Sequence, residues 1–239
     1  MRPDLFMDGQ GADRVAEAFY RKGVVAFERG MQADWLARAR TYTMTCMETC
    51  LAAGAEATPG LVVQRSPGRF DIRFAAGSLA DVEPPTMDAE DILAAVGAIL
   101  GRDWRFELRG AVVALPGAGE MPWHVDGAHL FPELPVHLPA HALNVFVPLV
   151  DITDELGPTE FCPGSHFLTR DTRPSYVESN VPPERLGYTD RPVPAAVPAG
   201  AVVLADFRTL HRALPNRSGR PRPLAYFSCA RPWFRDGAF

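Results

Sequence analysis

Apolar positions in the first hundred residues recur mostly at helical spacing. "ADRVAEAFYRKG" (12–23) is amphipathic, "GVVAFER" (23–29) reads as one short strand, and "QADWLARARTYTMTCMETCLAAG" (32–54) returns to helical periodicity. Trp35, Tyr42, Cys46 and Cys50 fall along one stripe of that second helix. A third helix is expected from about Asp88, with Ile92, Leu93, Val96, Ile99 and Leu100 on its buried face and Gly101 at its end. From residue 104 the pattern changes to short apolar runs separated by Pro and Gly: "WRFELRGAVVAL", "ALNVFVPLV", "GAVVLADF" and "PLAYFSCAR". Strands without helices between them argue against a doubly wound sheet. The expected fold is mainly β, a jelly roll buttressed by N-terminal helices.

The segment from Phe167 to Pro198 breaks this rhythm, with prolines at 174, 182, 183, 192, 194 and 198. A loop of this length in a compact domain is either an active-site cover or an inert excursion, and both readings stay open. No internal repeat is visible. With 239 residues, the expectation is a single domain over 1–239, helical support in 1–103 and jelly-roll core in 104–233.

Composition narrows the function. A hydrophobic share of 47% supports a packed core, and a net charge of -5 provides no long-range attraction for nucleic acid or an anionic membrane. The start "MRPDLFMDGQ" places Asp4 and Asp8 where a signal peptide needs an apolar run, and no later stretch is long and apolar enough to span a bilayer. A cytoplasmic location follows as the expectation, with a small-molecule substrate and a monomer or homodimer. The four cysteines, at 46, 50, 162 and 229, form no Cys-x-x-Cys pair and read as reduced. Cys46 and Cys50, one helical turn apart, read as core residues rather than a metal pair.

The chemistry concentrates around "WHVDGAHLF" (123–131), which follows the Gly- and Pro-containing "LPGAGEMP". In an extended segment, residues i and i+2 point to the same side, so His124 and Asp126 can converge on one ion. One such pair arises readily by chance and needs corroboration. A facial iron site requires a third ligand, and His211, beside a turn after the strand "GAVVLADF", is the natural candidate. His137 and His141 have the spacing of a helical zinc pair, but Pro135 and Pro139 oppose a helix there. His129 and His166 read as structural, supporting or exposed. Downstream, Arg220 and Arg222 precede an apolar strand. Arg220 reads as a solvated turn residue and Arg222 as inward, where an acid cosubstrate such as 2-oxoglutarate would offset its burial.

"HVD", "LNVFVPLVDITDELGPTEFCPGSH" and "GAVVLADFRTLHRALPNRSGRPR", in that order, resemble the phytanoyl-CoA dioxygenase-like family of iron(II) and 2-oxoglutarate-dependent oxygenases. The likeness is strongest over about 104–233. It implies a double-stranded β-helix core, iron held by His124, Asp126 and His211, and 2-oxoglutarate bound by Arg222, eleven positions after the last ligand. Many members carry Gln three residues before the first His, where this chain has Met121. Asn144, with Phe146 on the same strand face, is a candidate cosubstrate or substrate contact; a structural hydrogen bond is the other reading of Asn144.

The resemblance implies that Fe(II), 2-oxoglutarate and O2 together oxidise an unactivated C–H of a small molecule, of the natural-product type, releasing succinate and CO2. Asp126 occupies the coordination position that related halogenating enzymes leave open for chloride. Hydroxylation, desaturation, epoxidation and ring formation stay open, as does the substrate. Arg69 and Arg73 in "SPGRFDIRF" either meet an anionic group near the opening or lie at the surface or paired to Asp71. Three rival functions remain: a metal cupin independent of 2-oxoglutarate, with His129 or His166 completing its site; a non-catalytic jelly-roll sensor; and a structural zinc protein.

Overall fold

The computed structural model describes residues 3–54, 57, 62–74, 90–170 and 180–235. Three helices precede or interrupt the strands: α1 (Ala12–Lys22), α2 (Ala33–Ala53) and α3 (Glu90–Leu100). Ten strands are described: β1 (Val24–Phe27), β2 (Val62–Ser66), β3 (Arg69–Arg73), β4 (Arg105–Ala114) and β5 (Ala142–Pro148), followed by β6 (Thr159–Phe161), β7 (Val193–Pro194), β8 (Val202–Asp206), β9 (His211–Ala213) and β10 (Arg222–Ala230). A seven-stranded sheet runs β1-β8-β5-β10-β4-β3-β2, and a three-stranded sheet runs β7-β6-β9. Every pairing within them is antiparallel. This is the jelly-roll core with helical support.

Strand alternation decides what each face does. Leu143, Val145 and Val147 of β5, Val202 and Leu204 of β8, and Ala225, Phe227 and Cys229 of β10 pack on the helices. Their alternates, Val203 and Ala205, meet Phe161, Val193 and Ala195 of the small sheet. Because both faces are covered, these strands read as nearly unbroken apolar runs. The remaining alternates, including Asn144, Phe146, Arg222, Leu224, Tyr226 and Ser228, line a cavity between the sheets.

Several expectations need correction. Leu93 is 38% exposed, while Ile92, Val96, Ile99 and Leu100 are buried as expected; the apolar arc of α3 is narrower than its sequence pattern. Asp88 lies outside the described residues. The first third holds a β2–β3 hairpin as well as β1, and this hairpin extends the large sheet along β4. Arg65, Arg69 and Arg73 disguised those strands by placing charges where apolar alternation was sought. Part of the 167–198 segment is ordered into β7, with Tyr188, Val193, Ala195 and Val197 buried, while 171–179 lie outside the described residues. Among the described residues, no helix is long and apolar enough to cross a membrane.

Candidate metal and cosubstrate site

His124 and His211 are brought together by backbone pairing. They form an isolated antiparallel bridge, with His124 N–H donating to the His211 carbonyl at 3.0 Å and the reverse bond at 2.9 Å. Residues directly opposite in such a bridge share a face, and the imidazole centroids lie 4.3 Å apart. His124 therefore sits in an extended segment rather than a regular strand, and His211 opens β9 rather than closing β8.

One device recurs on both rings. Nδ1 of His124 lies 2.9 Å from the Pro122 carbonyl, and Nδ1 of His211 lies 2.9 Å from the Thr209 carbonyl. A carbonyl only accepts, so each Nδ1 carries a proton and Nε2 is the ring atom that each residue turns toward Asp126. Asp126 completes the set: its carboxylate oxygens lie 3.9 Å from His124 Nε2 and 3.4 Å from His211 Nε2. One ligand atom from each of the three residues can be chosen so that all lie within 4.8 Å of one another, a spacing suited to one metal ion. Burial, reinforced by the nearby His211, lowers the pKa of His124 to about 4 despite the opposing influence of Asp126. The ring is thus neutral, as a ligand must be, around pH 7.

The carboxylate is held by a chain of hydrogen bonds. Asn144 donates from Nδ2 to Asp126 Oδ2 at 2.6 Å, and Ser228 donates from Oγ to Asn144 Oδ1 at 2.7 Å. Ser228 and Asn144 face each other in the β10–β5 register. Asn144 therefore serves Asp126, in line with the structural reading of this residue. Phe146 lines the cavity, and Phe161 stacks on His211 with centroids 5.5 Å apart. The backbone fixes the other end of the segment: Asp126 and Gly127 both donate to the Phe207 carbonyl, at 2.9 and 3.0 Å. Only glycine allows this approach, because a Cβ at 127 would lie 2.7 Å from the Phe207 ring.

Across the cavity, Arg222 is buried and Arg220 exposed, as expected. Arg222 Nη1 donates to the Gly157 carbonyl, and its Nε has no partner among the described residues. Burial, then the charge of Arg69, lowers Arg222 to about 9. Arg73 pairs with Asp71 at 3.2 Å, and Arg65 pairs with the same carboxylate. Arg69 does neither and is fully buried in the cavity wall, so the surface or Asp71-paired reading does not hold for it. The cavity measures about 800 Å³ including its part open to solvent, and Val112, Met121, Phe146, Phe207 and Leu224 supply much of its apolar lining. That size falls in the range of small-molecule sites.

Sequence reading missed the supports. Asn216 Nδ2 donates to the carbonyls of Ala114 and Arg220, and Asn216 Oδ1 accepts from Ser218, pinning the turn that delivers Arg222. Arg208 grips Asp206 through two bonds of 2.8 and 2.7 Å within the turn that carries Phe207 and His211. Burial pushes the Asp206 carboxyl up, and Arg208 more than offsets this, leaving it below its ordinary value. Asn inside "LPNRSG" was the one available signal for the first. The second had no local signature. His129, His141 and His166 are buried but stand apart from the one metal-competent cluster among the described residues.

The phytanoyl-CoA dioxygenase (PhyH) family model matches residues 19–224. Among solved structures, AviO1 from Streptomyces viridochromogenes is 20% identical with a TM-score of 0.63, covering 93% of this chain and 96% of that one. The epimerase SnoN, in complex with Fe3+, alpha ketoglutarate and nogalamycin RO, is 20% identical with a TM-score of 0.65, covering 92% and 83%. HygX from Streptomyces hygroscopicus, with nickel, 2-oxoglutarate and hygromycin B bound, is 14% identical with a TM-score of 0.64, covering 92% and 88%. At these identities the structural likeness establishes the shared fold, and the family match over most of the chain gives the assignment. The chain belongs to the phytanoyl-CoA dioxygenase family of non-haem iron(II) and 2-oxoglutarate-dependent enzymes.

Proposed function

We propose that this enzyme oxidises an unactivated C–H of a small molecule of the natural-product type, with hydroxylation as the simplest outcome. The observation that carries the reading is the convergence of two imidazole Nε2 atoms and one carboxylate at the wall of an apolar cavity. Two histidines and one carboxylate on one face suit divalent iron and leave the opposite positions for cosubstrate and oxygen. His124, Asp126 and His211 are the ligands in this reading, and Arg222 holds the distal carboxylate of 2-oxoglutarate. When bound, the iron and 2-oxoglutarate supply the oxidising power, with succinate and CO2 as the cosubstrate's products.

The chain's own residues orient and protect. The Pro122 and Thr209 carbonyls fix the two imidazoles, Asn144 fixes Asp126, and Phe146, Phe161 and Leu224 limit water near the reacting carbon. The Asp126 carboxylate fills the position a halide would need, which favours oxygen insertion, desaturation or ring formation over halogenation. The substrate class is supported by the cavity's size and by the nogalamycin and hygromycin B compounds bound in SnoN and HygX.

The test is succinate formation. Protein, Fe(II), 2-oxoglutarate and O2 should yield succinate above a protein-free iron control even without substrate, and His211→Ala should abolish the excess. A folded, iron-loaded protein that forms none, with or without a panel of candidate substrates, contradicts the proposal.

A further inference from the structure

A second cavity adjoins the first between the same two sheets. It measures about 300 Å³ including its part open to solvent, and it shares Phe146, Thr159, Arg222 and Leu224 with the metal cavity. Its own walls are Pro148, Ile152, Phe161, Ala195, Val197 and Val203. Stacked sheets stand about 10 Å apart, a gap that side chains from both faces must fill. Val203 of β8 and Ala195, just past β7, belong to one buried cluster here. Side chains this short leave part of the gap unfilled.

The lining limits what can occupy the space. All six private wall residues are buried, and their side chains are hydrocarbon. A water molecule needs several polar partners, and the polar side chains, Thr159 and Arg222, stand only on the boundary shared with the metal cavity. An apolar cavity of this kind stays dry and takes small apolar guests. Its wall toward the metal ligands is aromatic. Phe161 stacks on the His211 imidazole with centroids 5.5 Å apart, and the Phe146 centroid lies 6.1 Å from each of those rings. Phe146 lines both cavities, so a guest that slips past its edge leaves the side pocket for the space where the three ligands converge.

We propose that this apolar side pocket is a dioxygen site that supplies the metal, with Phe146 as the shared wall and Ala195 and Val203 setting its size. The proposal rests on the iron and 2-oxoglutarate reading above, which provides a reaction that consumes O2. The pocket concentrates the gas, because burying an apolar group of methylene size is favoured about fourfold over water. A reservoir beside the larger cavity also leaves that cavity to substrate and cosubstrate.

The experiment has two arms. In the first, methyl NMR spectra of the metal-free protein are recorded under rising xenon pressure, with xenon as the apolar guest. Methyl signals of Ile152, Val197 and Val203 should shift in wild type, while those of Val15 and Val96 in the helical core should not. Ala195→Leu fills the pocket and should abolish the shifts, whereas Val203→Ala enlarges it and should keep those of Ile152 and Val197. In the second arm, succinate formation by the Fe(II)-loaded protein is followed against O2 concentration. Ala195→Leu should raise the half-saturating O2 concentration about fourfold and change 2-oxoglutarate affinity, read from anaerobic charge-transfer absorption, less than about twofold. A damaged fold would weaken 2-oxoglutarate as well. Ala195→Val adds less volume and should move both readouts in the same direction, so the test does not depend on Leu being accommodated. Absence of xenon shifts at these methyls in wild type overturns the proposal. So does a filled variant that excludes xenon and keeps the wild-type O2 dependence, which would mark the pocket as a packing gap. If wild type forms no succinate at any O2 concentration, the iron and 2-oxoglutarate reading fails, and the dioxygen role with it.

Discussion

Truncating Asn144 to Ala should weaken iron binding without touching a ligand. Asn144 Nδ2 lies 2.6 Å from Asp126 Oδ2, the oxygen that also stands 3.4 Å from His211 Nε2. A hydrogen bond to a charged group contributes about 1.5–3 kcal/mol, and each 1.4 kcal/mol is about tenfold in binding. Partners that orient metal ligands typically govern about 10–100-fold in affinity, so the two scales agree. Ser228 acts on Asp126 only through Asn144, since its Oγ donates to Asn144 Oδ1 at 2.7 Å. Ser228→Ala should therefore cost less, about fivefold, as for a neutral hydrogen bond of about 1 kcal/mol. The double variant should bind no worse than Asn144→Ala, because residues in one chain do not add. Anaerobic Fe(II) titration gives the three affinities, and thermal melting checks the fold. An Asn144→Ala affinity within twofold of wild type, or a double variant equal to the sum of the singles, refutes the chain as drawn.

Gly157→Ala should destabilise the protein by about 2–4 kcal/mol and weaken 2-oxoglutarate binding. Gly157 has φ 73°, and a Cβ there would lie 2.5 Å from the carbonyl oxygens of Leu214 and Pro215, displacing the carbonyl that receives Arg222. Chemical denaturation and a cosubstrate titration would measure the two effects. Acid stability should report His141, which burial lowers to about 4 and whose ring nitrogens have no hydrogen-bond partners among the described residues. Its neutral form is favoured in the fold, so its contribution is full above the unfolded value of about 6.5 and is lost as pH falls from there toward 4. Denaturation at pH 7 and pH 4.5 should show wild type losing about 1–3 kcal/mol more than His141→Leu. Chelating the metal should leave far-UV circular dichroism unchanged, because the main core of helices and sheet involves none of His124, Asp126 and His211. Unfolding on chelation would instead mark a structural zinc protein.

The legible part of the site was what short-range geometry encodes. The i, i+2 spacing of His124 and Asp126 is visible because an extended chain puts both on one side, and the entry of Arg222 into an apolar strand marks it as inward. His211 was legible only as a residue type at a suitable turn; its pairing with His124 is a long-range backbone event. Asn144 appeared as a polar residue needing a partner, but the partner, Asp126, lies 18 positions away. Arg69 stayed open between two readings for a physical reason. Its neighbour Asp71 offers a nearby carboxylate, yet in a strand residues i and i+2 share a face while Arg65 and Arg73 take that carboxylate. The β2–β3 hairpin was hidden by the same charges, since an arginine facing an internal cavity looks like solvent-facing polarity in sequence.

The most direct test of the central claim is the visible spectrum of the anaerobic Fe(II) protein before and after 2-oxoglutarate is added, in wild type and in His211→Ala. A charge-transfer band that develops with 2-oxoglutarate in wild type and is lost in His211→Ala is the predicted result. A folded, iron-loaded wild type that develops no band contradicts the assignment of this cavity as an iron and 2-oxoglutarate site.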